Sequence, residues 1–113
     1  MKYRMYIHSD PFSRIKSEKK KLEVRLNYRN RDRIKTGDTI LLLKRPDFKD
    51  KIKVKVIGVS VYKDFVSLVN DNKLSDFGSK IKSKRDIIKK GIKFYSEEKQ
   101  RKYGFIVFRI KLI

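Results

Sequence analysis

From Lys19 to Asn27 the chain alternates without a break: Leu22, Val24 and Leu26 fall on one parity, and Lys21, Glu23, Arg25 and Asn27 on the other. A period of two marks a strand with one buried face, so the polar set is expected as a row on an exposed face. The same period places Tyr3, Met5 and Ile7 inward, against Lys2, Arg4, Tyr6 and His8, in a first strand from Lys2 to His8. Between them, Ser9-Asp10-Pro11 offers an N-cap followed by proline at a first helical position. A short helix from Pro11 to about Ser17, burying Phe12 and Ile15, is the expectation.

Further along, Tyr28 to Arg33 has no apolar periodicity and reads as a basic, aromatic-led connection, and Ile34 to Asp38 as a turn at Gly37. Thr39 to Lys44 holds Ile40-Leu41-Leu42-Leu43, an unbroken apolar run expected of a strand covered on both faces or nearly so. A long strand from Lys51 to Tyr62 changes phase: Ile52, Val54 and Val56 are even, Val59 and Val61 odd. Gly58 lies at the switch, where a bulge or sharp bend is the expected device for turning a barrel corner. Asp64 can cap a helix bearing Phe65, Leu68 and Val69. Leu74 to Lys82 is irregular, with Phe77 as its anchor, and Ser83 caps a helix through Ile87, Ile88, Ile92 and Tyr95. Ser96 to Lys102 reads as an exposed polar connection before the last strand, Phe105 to Leu112. In that strand Ile106, Phe108, Ile110 and Leu112 point inward, and Phe105 and Val107 imply cover on the second face too. The pattern is α+β: a small mixed β-barrel of about five strands with flanking helices.

Length and composition add bounds. The 113 residues suit one domain spanning 1–113, and 39% hydrophobic content with seven Phe and six Tyr excludes a disordered basic tail. There is no cysteine, so disulfides and thiolate metal sites are excluded; with one histidine and no clustered acids, neither a metal nor a cofactor is expected. No apolar run nears the roughly 18 residues of a membrane span. The N-terminus mixes charge with its apolar residues and lacks a signal-peptide core, so a cytoplasmic protein away from membranes is expected. Lys and Arg outnumber Asp and Glu by 32 to 13, a net charge of +19. An AT-rich coding bias inflates lysine counts, but a polyanionic partner also fits, because each phosphate that a cation neutralises releases counterions.

Several pieces in order resemble the ASCH (activating signal cointegrator homology) family: Lys20-x-x-Glu23-x-Arg25, Ile34-Lys35-x-Gly37-Asp38-x-Ile40, Phe94-Tyr95-Ser96 and Tyr103-Gly104-Phe105-Ile106-Val107. The resemblance covers nearly the whole chain and implies a PUA-like barrel that binds RNA or another nucleic acid, with relatives of the fold reading a modified nucleoside in a pocket. The family motif is Gly-x-Lys-x-x-Glu-x-Arg, and Glu18 stands here where the glycine would be. One bacterial branch hydrolyses N4-acetylcytidine with a Lys, a Thr and a downstream Glu. Glu23 occupies the Thr position, and Asp76 and Asp86 are the nearest options for that branch's downstream acid. Ribonuclease activity is also attributed to some members.

These readings name candidates. Glu23 would accept hydrogen bonds from an exocyclic amine, as carboxylates do with cytosine N4, and Arg25 would present a planar fork to a phosphate or carbonyl edge. Lys20 or Lys21 would contact phosphate: Lys21 shares the parity of Glu23, whereas Lys20 fits the motif but requires that regular pleating begin after it. Asn27 closes the row, and Tyr28 with Arg29, Arg31 and Arg33 combines an aromatic face with guanidinium groups, the ingredients of single-strand recognition. Against each stands a plain alternative: a surface ion network for Glu23 and Arg25, solvated lysines, an incidental arginine loop. His8 reads as a lone surface imidazole, and Tyr103 as a core or rim residue. The leading expectation is nucleic-acid binding. The alternatives are a hydrolase at the same site, with Lys20 and Glu23 catalytic, and a protein-interaction module in a transcription or RNA-processing assembly.

Overall fold

A computed structural model describes residues 1–28, 31–78 and 83–113. Five strands, β1 (Lys2–Ile7), β2 (Leu22–Leu26), β3 (Thr39–Lys44), β4 (Lys51–Tyr62) and β5 (Phe105–Leu112), form one sheet in the order β1-β3-β4-β5-β2. β1 runs parallel to β3, and every other neighbouring pair is antiparallel. The sheet is a half-barrel with β1 and β2 as its two edges, flanked by α1 (Ser9–Lys16), α2 (Phe65–Asn70), α3 (Lys84–Phe94) and α4 (Glu97–Tyr103). The expected α+β class and strand number are both present.

β5 divides the interior into two cores. Ile106, Phe108 and Ile110 join Met5, Ile7, Phe12, Ile15, Leu42, Val54 and Val56 on the barrel side. Phe105 and Val107 point the other way, against Leu22, Phe65, Leu68, Phe77 and Ile87 under α2 and α3. Phe105 and Phe108 are wholly buried, and burial of a side chain this size contributes about 1.5–3 kcal/mol. Both faces of β5 are therefore covered, as its unbroken apolar start requires.

The long strand behaves as its phase change requires. Val56 pairs with Ile110 but Gly58 with Arg109, so Ile57 is an extra residue in a bulge. Beyond it Val59 packs on the barrel core, whereas Val61 on the same parity runs past the core edge and is exposed.

Three element readings need correction. α1 starts at Ser9 after an uncapped His8, so Pro11 sits third in the first turn, where its missing N–H is not needed. Ser96 to Lys102 is no open connection: Ser96 Oγ accepts from the Lys99 N–H at 3.4 Å and starts α4, which Gly104 ends at φ 67°. Ile92 stands exposed on α3, and only Ile87 of that helix is fully buried. The proposed caps Asp64 and Ser83 do accept from the N–H groups of Ser67 and Asp86. The expected irregular stretch contains a 3₁₀ turn, Leu74–Phe77, and its part at 79–82 lies outside the described residues.

Candidate functional site

The polar row of β2 does not face open solvent. Glu23 pairs across the ladder with Phe108 and Arg25 with Ile106, both barrel-core residues, while Val24 and Leu26 pair with Val107 and Phe105 of the other core. Cross-strand partners share a face, so Glu23 and Arg25 point into the half-barrel and Leu22, Val24 and Leu26 lie under the helices. Glu23 is consequently buried, at 5% exposure.

Lys20 reaches the same place through the end of α1. The N–H groups of Lys19 and Glu18 donate to Arg14 O and Ile15 O at 2.9 and 3.0 Å, a Schellman closure with Glu18 at φ 62°. Lys20 N–H also donates to Arg14 O at 3.1 Å, and β2 begins only at Leu22, so strand alternation does not govern Lys20. The position where the motif has glycine thus holds a left-handed residue here. Glu18→Gly is expected to raise unfolding stability by about 1 kcal/mol by relieving that conformation, as measured by denaturant unfolding.

Lys20 Nζ and Arg25 Nε lie 3.8 and 3.7 Å from the same oxygen, Glu23 Oε1. Both distances exceed hydrogen-bond length, and the second oxygen, Oε2, is buried with no hydrogen-bond partner among the described residues. Arg25 is held independently, because its Nη2 donates to Tyr6 O at 2.7 Å and so bridges the two sheet edges. Along this seam runs a cleft of about 420 Å³. Lys20, Glu23 and Arg25 line it with His8 and Tyr6 from the β1 end, Arg31 and Arg45 at the rim, and Phe94 and Tyr95 on the opposite wall.

Burial, and secondarily the negative charge of Glu23, push the Tyr95 phenol up to about 12. The wall of the cleft therefore presents a neutral hydroxyl, 3.5 Å from Val24 O. Because the folded state favours the protonated phenol, its stabilising contribution is complete below the ordinary phenol pKa. It is lost as pH rises from there towards about 12. Tyr95→Phe should flatten that alkaline loss of stability, read from thermal unfolding across the same pH range.

The remaining candidates divide. Arg31 lines the cleft and its Nη1 donates to Leu26 O at 2.9 Å. Arg33 faces a neighbouring depression. Lys21 is exposed and lines a separate groove with Glu18, Ile57 and Lys111. Asn27 donates its N–H to Gly104 O, and Tyr28 packs edge-on against Tyr103 at 4.8 Å, both away from the cleft lining. Arg29 lies outside the described residues. Asp76 is held by Arg109 at 2.8 Å and Asp86 sits exposed in the first turn of α3, so neither joins Glu23. No group of three His, Cys, Asp or Glu side chains able to hold a metal occurs among the described residues.

Sequence reasoning missed five cleft residues: Tyr6, His8, Arg45, Phe94 and Tyr95. Outward parity flagged Tyr6 and His8, but only the bond from Arg25 Nη2 to Tyr6 O across the two sheet edges shows that this end of β1 borders β2. His8 is exposed, as a surface imidazole would be, and lines the mouth of the cleft.

A family model for the ASCH domain matches residues 5–113. The chain belongs to the ASCH domain family. Among solved structures, this ASCH domain resembles the hypothetical protein PH0355 over 100% of both chains, at 34% identity and a TM-score of 0.85. It also resembles protein PF0455 from Pyrococcus furiosus, at 31% identity and a TM-score of 0.73, over 100% of this chain and 98% of that one. The ASCH domain from Lactobacillus crispatus JV V101 shares the fold at 14% identity and a TM-score of 0.66, over 98% of this chain and 79% of its own. No curated protein matches the chain significantly. Among the described residues no helix is long and apolar enough to cross a membrane.

Proposed function

We propose that this ASCH domain is a cytoplasmic RNA-binding module that receives one base, modified or not, in the cleft at the seam of the half-barrel. The observation that carries the reading is Glu23: a buried carboxylate flanked by two cations, with neither oxygen hydrogen-bonded among the described residues. Buried polar atoms are almost always paired, and a carboxylate lining a cleft with an acceptor unfilled fits a ligand N–H donor such as an exocyclic amine. The cleft lies within the range of small-ligand sites, about 300–1,000 Å³, and Phe94 and Tyr95 give it an aromatic wall. Lys20, Arg25 and Arg31 serve phosphate and base edges around that acceptor. The family as a whole is generally thought to bind RNA, which agrees.

Anisotropy of labelled single-stranded RNA, titrated at rising salt, tests the reading. Affinity should fall along a straight line in log K against log salt, with a slope of about −0.7 per phosphate contacted. A flat salt response, or no binding at low salt, overturns it.

One observation favours a second reading. His8, Lys20 and Glu23 share the cleft, so groups able to move protons stand beside a potential substrate. Among the described residues no Ser or Thr lines the cleft, whose side-chain hydroxyls are those of Tyr6 and Tyr95, and Glu23 is placed to serve as a general base. Incubation with N4-acetylcytidine and with single-stranded RNA separates the outcomes. Product formation that disappears in Glu23→Gln makes the site hydrolytic, and intact substrates leave binding.

A further inference from the structure

Beside the cleft lies a second depression of about 350 Å³, with Tyr6, Arg25, Arg31 and Arg45 on the boundary between the two. Arg4 and Arg33 complete its rim, and among the described residues no carboxylate lines it. Its composition departs from that of the chain. The protein has 22 lysines and 10 arginines, yet among the described residues five arginines and no lysine line this depression. A coding bias towards lysine predicts the opposite. Arg4, Arg33 and Arg45 have no carboxylate partner within 4.0 Å among the described residues, so their mutual repulsion is not relieved by internal ion pairs. Guanidinium forks in this density match phosphate oxygens, which they bind bidentately.

The boundary at Tyr6 carries an aromatic pair. Tyr6 and Phe48 meet at 4.7 Å between ring centroids, and Arg45 lies over both, at 5.7 and 6.0 Å. Tyr6 is 49% exposed and Phe48 38%, so their π-faces remain open to a partner. Exposed aromatics beside guanidinium groups form a stacking platform for bases.

Resting on the reading of the cleft as a base site, we propose that the ligand is a single-stranded RNA segment and not a free nucleoside. One base enters the cleft at Glu23, the adjoining phosphate lies among Arg4, Arg33 and Arg45, and a neighbouring base stacks on Tyr6 and Phe48. The cleft, the guanidinium patch and the aromatic pair adjoin one another at Tyr6 and Arg45, as a base, its phosphate and a neighbouring base do along a strand.

Three probes test it by calorimetry or anisotropy: cytidine, cytidine monophosphate, and a single-stranded RNA of about ten nucleotides. The expected order is oligonucleotide over monophosphate over nucleoside, with at least about 100-fold between the extremes. Arg4→Gln with Arg33→Gln should weaken oligonucleotide binding about tenfold or more and reduce the salt slope by about 0.7, the share of one phosphate, leaving cytidine unchanged. Phe48→Ala should weaken the oligonucleotide and leave the monophosphate unchanged. Equal affinity for cytidine and the oligonucleotide, or an unaltered salt slope in the double arginine variant, overturns the proposal. Failure of the cleft reading looks different: Glu23→Gln then binds the oligonucleotide like the wild type while the arginine variant is still impaired.

Discussion

Glu23→Gln is expected to lower affinity for the cognate RNA by about 100-fold, in line with 1–3 kcal/mol for a lost base-edge contact, while the protein stays folded. Glutamine keeps the shape of the side chain but replaces one acceptor oxygen with a donor and removes the charge. An exocyclic amine that the carboxylate accepts then meets an N–H or a weaker acceptor. Stability should change by less than about 1 kcal/mol, and this separates a functional carboxylate from a structural one. If Glu23 were a packing ion pair, its removal would strand Lys20 and Arg25 as buried charges at a cost of several kcal/mol. Here both cations reach the cleft, their distances to Oε1 are 3.8 and 3.7 Å, and Arg25 retains its bond to Tyr6 O at 2.7 Å. Equilibrium unfolding and RNA binding of the same preparation give the two readouts. Lost stability with intact binding would make Glu23 a fold residue.

How far the chain could be read without coordinates turns on the same strand. Alternation showed that Leu22, Val24 and Leu26 share a face opposite Glu23 and Arg25, and this is correct. It could not show which face is which, because the sheet is covered on both sides. The apolar set packs outward beneath α2 and α3, and the polar set lines the barrel interior at an open seam. Burial of Glu23 depends on its neighbour in space, β1, which is the opposite edge of the sheet and remote in pairing order. The bulge at Gly58 was legible because a phase change is local, and the doubly covered β5 because its apolar run is unbroken. α4 was not legible from periodicity, since Glu97 to Lys102 has no apolar stripe. Its signal lay in the ends: Ser96 as cap, Glu97 and Glu98 in the first turn, Arg101 and Lys102 in the last. The choice between Lys20 and Lys21 was settled by one left-handed residue, Glu18, which lets the chain leave α1 and deliver Lys20 to the cleft before pleating begins.

Gly91→Ala is expected to cost about 3 kcal/mol, the upper end of overpacking penalties, although alanine is the better helix former by about 1 kcal/mol. Gly91 lies in α3 where that helix packs on α2, and a methyl group there would meet the Phe65 ring well inside van der Waals contact. A carbon at that distance requires Phe65 to move, and Phe65 has little room. Its ring is 5.3 Å from that of Phe105 and 6.0 Å from that of Tyr95, and Phe105 is wholly buried. Displacement therefore propagates through the outer core to Tyr95, which forms the wall of the cleft. Two results are expected together: a fall in denaturation midpoint, and weaker RNA binding even under conditions where the variant remains folded. Phe65→Leu in the Gly91→Ala background removes the clashing edge and should recover most of the loss relative to Gly91→Ala alone. If the double variant is no more stable than Gly91→Ala, the close approach of α3 to α2 is not what requires glycine at this position.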